Sequence, residues 1–132
     1  MNAVDVKPIL PDPTPGPPEW FAGDVQLMLL AVGEPPARVQ VARVAFAAGA
    51  RTAWHVHPLG QVLHILEGTA QVRRDGGTVV DVAAGGTVWF APGERHWHGA
   101  GPAGPMVHLA IQEAGPDGRA TTWAEHVSDP EG

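Results

Sequence analysis

His55 and His57 stand two residues apart and Gln61 follows four later, in a run bracketed by Gly49 and Gly68. His96 and His98 repeat the same two-residue spacing further along the chain. In an extended strand alternate side chains share a face, so each pair projects together. Burying several imidazoles on one interior face costs free energy unless every ring nitrogen finds a partner. A divalent cation satisfies them together, and neutral imidazole is its commonest protein donor. His55, His57 and His96 acting jointly are therefore read as metal ligands rather than as structural histidines. His64 and His126 have no further donor at ligand spacing and are read as ordinary hydrogen-bonded residues.

The elements that must carry these donors are short. From Val25 onward the chain divides into VQLMLLAV (Val25–Val32), RVQVARVAFA (Arg38–Ala47), TAWHVH (Thr52–His57), QVLHILE (Gln61–Glu67) and AQVRR (Ala70–Arg74). TVVDV (Thr78–Val82), TVWFA (Thr87–Ala91), HWHGA (His96–Ala100) and MVHLAIQE (Met106–Glu113) follow. Each run is rich in β-branched or aromatic residues, and glycine, proline and acidic residues separate them. Many short strands with regular turn signals predict an all-β barrel or sandwich. The tail Ala120–Asp129 fits a short helix or a last strand. Alternation places Ala42, Val44 and Phe46 on one face of the second run, and His108, Ala110 and Gln112 on one face of the last. The opposite faces are also partly apolar, so a second sheet or a second subunit is expected to cover them, with a homodimer or homotetramer as the natural assembly. Trp54, Trp89 and Trp97 read as packing residues, with Trp89 or Phe90 as an alternative wall for an aromatic substrate.

The first eighteen residues contain six prolines and cannot form a helix interior or a central strand. Residues 1–18 are read as a proline-rich N-terminal arm, which Trp20 and Phe21 anchor, and residues 19–132 as one barrel with a short C-terminal tail. The formal charge of −6 and the scattered arginines leave no basic stripe for nucleic acid. No apolar run approaches the about 20 residues needed to cross a bilayer. With no cysteine, disulfides, thiolate zinc sites and thiol nucleophiles are excluded. A cytoplasmic protein acting on a small molecule, with neither membrane nor nucleic acid as partner, is the expectation.

At this point the residues resemble a known family. Gly49, His55, His57, Gln61 and Gly68 keep every interval of the first cupin motif, with glutamine where that motif has glutamate. Gly85, Gly93 and His96 hold their places in the second, where Ala91 replaces a proline and Ala100 an asparagine. The strings WFAGDV, ARTAWHVHPLGQ, VWFAPGERHWHGA and HLAIQE are similar to those of bacterial cupin-type (R)-selective hydroxynitrile lyases and of carboxymuconolactone-decarboxylase-like small cupins. The likeness runs from about Pro18 to Val127.

The resemblance implies a single-domain cupin, a jelly-roll-like double-stranded β-helix, holding a metal on His55, His57, Gln61 and His96. It implies Mn²⁺ as the ion, although Fe²⁺, Zn²⁺, Ni²⁺ and Cu²⁺ also suit these donors. It further implies a catalytic role for His98 and a pocket lined by Ala42, Val44, His108 and Gln112. Alternation sets His98 beside His96 on the pocket face, where a neutral imidazole can exchange a proton. His108 and Gln112 are read as weaker catalytic candidates that orient or hydrogen-bond. Three histidines and a glutamine leave a divalent site at +2, against +1 with glutamate, which favours Lewis-acid chemistry on an alkoxide or cyanide. The expected activity is reversible cleavage of cyanohydrins to aldehyde and cyanide. The alternatives are an Fe- or Mn-dependent oxidoreductase of dioxygenase type and a non-enzymatic binder of a small ligand or metal.

Overall fold

A computed structural model describes residues 4–7 and 10–128. Its strands are β1 (Thr14–Pro15), β2 (Phe21–Ala22), β3 (Val25–Val32), β4 (Val39–Phe46), β5 (Arg51–Thr52), β6 (His55–Val56) and β7 (Gln61–Glu67). They continue as β8 (Thr69–Arg74), β9 (Val80–Ala83), β10 (Thr87–Phe90), β11 (His96–Ala100), β12 (Met106–Glu113) and β13 (Thr122–Trp123). Among the described residues there is no helix, and none long and apolar enough to cross a membrane. All pairings are antiparallel. One sheet has the order β1-β3-β4-β12-β7-β10 and the other β13-β6-β11-β5-β2, with β8 joining β11 to β9. The expected all-β barrel is what the chain forms.

Four runs occupy the residues their turn signals delimit, namely β3, β7, β11 and β12. Two differ. TAWHVH is broken into β5 and β6, because the backbone at Ala53 and Trp54 bonds outside the ladder. Ala53 N–H donates to Trp20 O at 2.7 Å, and Trp54 exchanges bonds with Glu125 and Ala124. The run expected over Thr78–Val82 lies at Val80–Ala83, since the turn through Asp75–Gly77 delays pairing until Val80 meets Val72. The tail yields a strand rather than a helix, β13 on β6, and Asp129 lies outside the described residues. In the arm, Thr14 and Pro15 pair with Leu27 and Gln26 at the sheet edge, where a proline's missing N–H costs no ladder bond. Residues 1–3 and 8–9 of the arm also lie outside the described residues.

The core fills the space between the sheets with alternate side chains of both, including Val44, Phe46, Leu63, Ile65, Val72, Phe90 and Met106. The register across β4, β12 and β7 stacks three inward rows. Gln40, Gln112 and Gln61 form one, Ala42, Ala110 and Leu63 the next, and Val44, His108 and Ile65 the third. Gly68 makes the tight passage from β7 to β8 at φ 76°, where an added Cβ would also run into Pro105 O. Only glycine satisfies both conditions at little cost. On the outer face, Trp89, Val62, Ile111 and Val41 continue across β10, β7, β12 and β4. Trp89 lies there 59% exposed and is not part of the interior wall, which corrects the alternative reading of it.

Candidate metal centre and its cavity

β6 and β11 are neighbours in register at His55 and His96, which sets their rings 4.3 Å apart between centroids. His57 follows on the same face, 5.0 Å from the His55 ring and 5.4 Å from that of His96. Gln61 begins β7 and brings its Oε1 to 3.3 Å from His96 Nε2. His98, one strand repeat beyond His96, lies against His108 of β12, with Nδ1 and Nε2 3.1 Å apart. All six side chains are buried. Strand alternation therefore brings together the residues singled out from the sequence.

Hydrogen bonds decide where the lone pairs point. A carbonyl oxygen only accepts, so a ring nitrogen bonded to one must carry the proton. His55 Nδ1 donates to Ala53 O at 2.8 Å, His57 Nδ1 to Ala120 O at 2.7 Å, and His96 Nδ1 to Glu94 O at 2.9 Å. In each neutral ring the Nε2 is left as a bare acceptor. Gln61 uses its amide N–H on Gln112 Oε1 at 3.1 Å, so its oxygen too is turned toward the imidazoles. Among the described residues His57 Nε2, His98 Nε2 and His108 Nδ1 are buried without a hydrogen-bond partner. His57 Nε2 is thus an orphaned buried acceptor, which is costly, and a cation is a partner that satisfies it together with the bare Nε2 atoms of His55 and His96. The donor set therefore fits a divalent ion on chemistry alone. By mutual distance the tightest group is His55, His96 and His98, whose ligand atoms lie within 4.8 Å of one another.

These imidazoles are held neutral. Burial drives His55 and His98 well below the usual range, reinforced at His55 by His96 and His57, and at His98 by His108 and His55. Burial likewise lowers His57, takes His96 to about 3 and takes His108 to about 4. A neutral cluster is what a cation requires. The same depression makes the metal-free fold acid-sensitive. Unfolded histidine titrates near 6.5, so below that value the unfolded chain binds protons the fold refuses. Stability is full above about pH 6.5 and falls with pH down toward the folded values of about 4 and about 3. His96 and His108 are each expected to cost about 2 kcal/mol by pH 5. Urea midpoints at pH 7.5 and pH 5 in the presence of a chelator check this, and a midpoint that does not move would contradict neutral burial.

Of the donors, His55, His57 and Gln61 line a cavity of about 380 Å³. Ala42, Val44, His108 and Gln112 line it, together with Phe46, which alternation already placed on the face of Ala42 and Val44. Other walls carry no local signal. Trp20 and Phe21, expected only to anchor the arm, line the cavity and pack against Trp123, with the Trp20 and Trp123 rings stacked at 5.2 Å and 6°. Trp123 in turn lies 4.5 Å from His55. Thr52 accepts the His98 backbone N–H at 3.2 Å. Phe90 stacks on the His96 ring at 3.6 Å and 13°, so it braces a ligand candidate instead of walling the cavity. Trp97 is a buried packing residue, and Trp54 lies beneath the Arg95 guanidinium at 4.7 Å. His64 faces outward to Thr87 and His126 bonds Pro18 O, so neither reaches the cluster.

Comparison with known proteins agrees with this architecture. Residues 42–112 match the cupin domain family model. The chain is 52% identical over 114 residues to an (R)-mandelonitrile lyase of Granulicella tundricola, covering 86% of each. A cupin-like protein of Thermotoga maritima superposes with a TM-score of 0.80 at 31% identity, covering 88% of this chain and 87% of that one. The polyketide cyclase RemF of Streptomyces resistomycificus shares the fold at 20% identity and a TM-score of 0.63, over 80% and 75% of the two chains. The glycine-bracketed histidine motifs, the antiparallel barrel and these relatives together make the chain a member of the cupin family.

Proposed function

We propose that this protein is a metal-dependent hydroxynitrile lyase, cleaving a cyanohydrin reversibly to an aldehyde and hydrogen cyanide. The observation that carries the reading is the convergence of bare acceptors on His55, His57, Gln61 and His96, three of which, His55, His57 and Gln61, line a largely apolar cavity. The relative named (R)-mandelonitrile lyase supports the choice of reaction. Mn²⁺ is the proposed ion, since the amide oxygen and water favour a hard cation. Bound there, a divalent ion would supply Lewis acidity toward the substrate oxygen.

Two donor sets share His55 and His96. The shortest distances favour His98 as the third member. The hydrogen bonds favour His57, because a ligating histidine characteristically donates its second N–H to a carbonyl or carboxylate. His55, His57 and His96 each do so, whereas the second nitrogen of His98 meets another imidazole. We take His57 and Gln61 as ligands and leave His98 for proton transfer. Cleavage removes one proton from the hydroxyl and returns one to the cyanide carbon as the C–C pair departs with it. When His98 Nδ1–H donates to His108 Nε2, His98 Nε2 is an unprotonated base inside the cavity, able to take the first proton and release it to cyanide. His108 fixes that ring. Val44, Phe46 and Ala110 offer an apolar wall to the aldehyde's substituent.

Mandelonitrile cleavage by Mn²⁺-loaded protein under anaerobic conditions tests the reading. Benzaldehyde release at the aerobic rate is expected. Turnover that requires oxygen would favour the oxidoreductase alternative, and none under either condition would leave only a binding role.

A further inference from the structure

A glutamate ligand presents an oxygen whichever way it turns, but a glutamine does not. Its amide oxygen and NH₂ are nearly equal in size, and only its partners decide which end faces a cation. Gln61 must therefore be directed, and its direction is held from a distance. Gln61, Gln112 and Gln40 lie in register across β7, β12 and β4. Gln61 Nε2 donates to Gln112 Oε1 at 3.1 Å, and Gln112 Nε2 donates to Gln40 Oε1 at 3.4 Å. The chain of amides has one polarity throughout, and it ends with Gln61 Oε1 at 3.3 Å from the bare Nε2 of His96. Two acceptors at that separation repel. Reversing the Gln61 amide would relieve the clash by donating to His96, but would point an NH₂ at the ligand cluster.

We propose that Gln40 is a positioning residue for the cation site, terminating an amide chain through Gln112 that presents the oxygen of Gln61 to the metal. The proposal rests on Gln61 being a ligand. Gln40 lines the cavity and is only half-buried, so its replacement leaves the core intact. Without Gln40, Gln112 Nε2 loses its acceptor, so the arrangement that turns Gln61 Oε1 toward the cluster keeps one amide–amide bond instead of two.

Mn²⁺ affinity, measured by competition with a chromophoric chelator, and the Mn²⁺ paramagnetic resonance spectrum are the readouts. Gln40→Leu is expected to weaken Mn²⁺ binding about tenfold, at the lower end of what loss of a supporting residue costs, and to alter the spectrum. Gln40→Glu keeps an acceptor and is expected to bind at least as tightly as the parent. In a Gln61→Glu background, where no direction is needed, Gln40→Leu is expected to change affinity little. Parental affinity in Gln40→Leu, or an equal loss in both backgrounds, would overturn the positioning role while leaving the site in place. Equal Mn²⁺ binding by the parent and by His96→Ala would instead remove the metal site itself, and the proposal with it.

Discussion

His96→Ala is expected to abolish stoichiometric divalent-metal binding and bring cyanohydrin cleavage to background. His96 belongs to both donor sets, by distance with His55 and His98 and by hydrogen bonding with His55, His57 and Gln61. It is fully buried between Phe90 and the cluster. Losing a ligand should cost more than the about 10–100-fold that loss of a supporting residue costs. The truncation also leaves a void beside Phe90, worth about 2–4 kcal/mol by analogy with other buried large-to-small changes. Melting in the presence of chelator separates that loss from the metal effect. Parent protein should melt higher when Mn²⁺ is added, because an ion that binds only the folded state stabilises it, and His96→Ala should not respond. Chelation of the parent should mimic the variant, with activity returning on addition of Mn²⁺. A folded His96→Ala that still carries one ion per chain would end the metal reading.

Much of this site was legible because its spacing is local. Two residues apart on a strand means one shared face, so His55 with His57, His96 with His98, and Ala42 with Val44 and Phe46 needed no knowledge of the fold. Strand limits were clear wherever turn residues flank them closely, as at Gln61–Glu67 between Gly60 and Gly68. What could not be read depends on partners distant in the chain. The break between β5 and β6 exists because Trp20 O and Glu125 O claim the N–H groups of Ala53 and Trp54. Trp123 reaches His55 only because the tail folds back as β13 along β6. Gln40 meets Gln112 across 72 positions, and its importance emerges only when the registers of β4, β12 and β7 are known together. Ala120 is the plainest case. Nothing about an alanine announces it, yet its carbonyl fixes the tautomer of His57.

That carbonyl bond underlies the second large effect. His98→Ala is expected to lower kcat by about 10²–10⁴, the usual contribution of a positioned acid–base group, while Mn²⁺ stoichiometry and affinity stay near the parent's. His57→Ala should do the reverse and lose the ion first. The distinction follows from what anchors each ring. Ala53 O, Glu94 O and Ala120 O each draw the Nδ1 proton of one histidine outward, so His55, His96 and His57 can offer nothing but a lone pair on Nε2. His98 is coupled to His108 instead, and an imidazole pair can exchange donor and acceptor roles in a way a carbonyl cannot. A ring whose tautomer can change suits proton transfer, and one whose tautomer is fixed suits ligation. Both variants remove one buried imidazole from the same cavity, so a general loss of packing would affect them alike and cannot produce opposite outcomes. If His98→Ala sheds the metal while His57→Ala keeps it, the ligand set is the distance-defined triad of His55, His96 and His98, and the proton must be carried by another group.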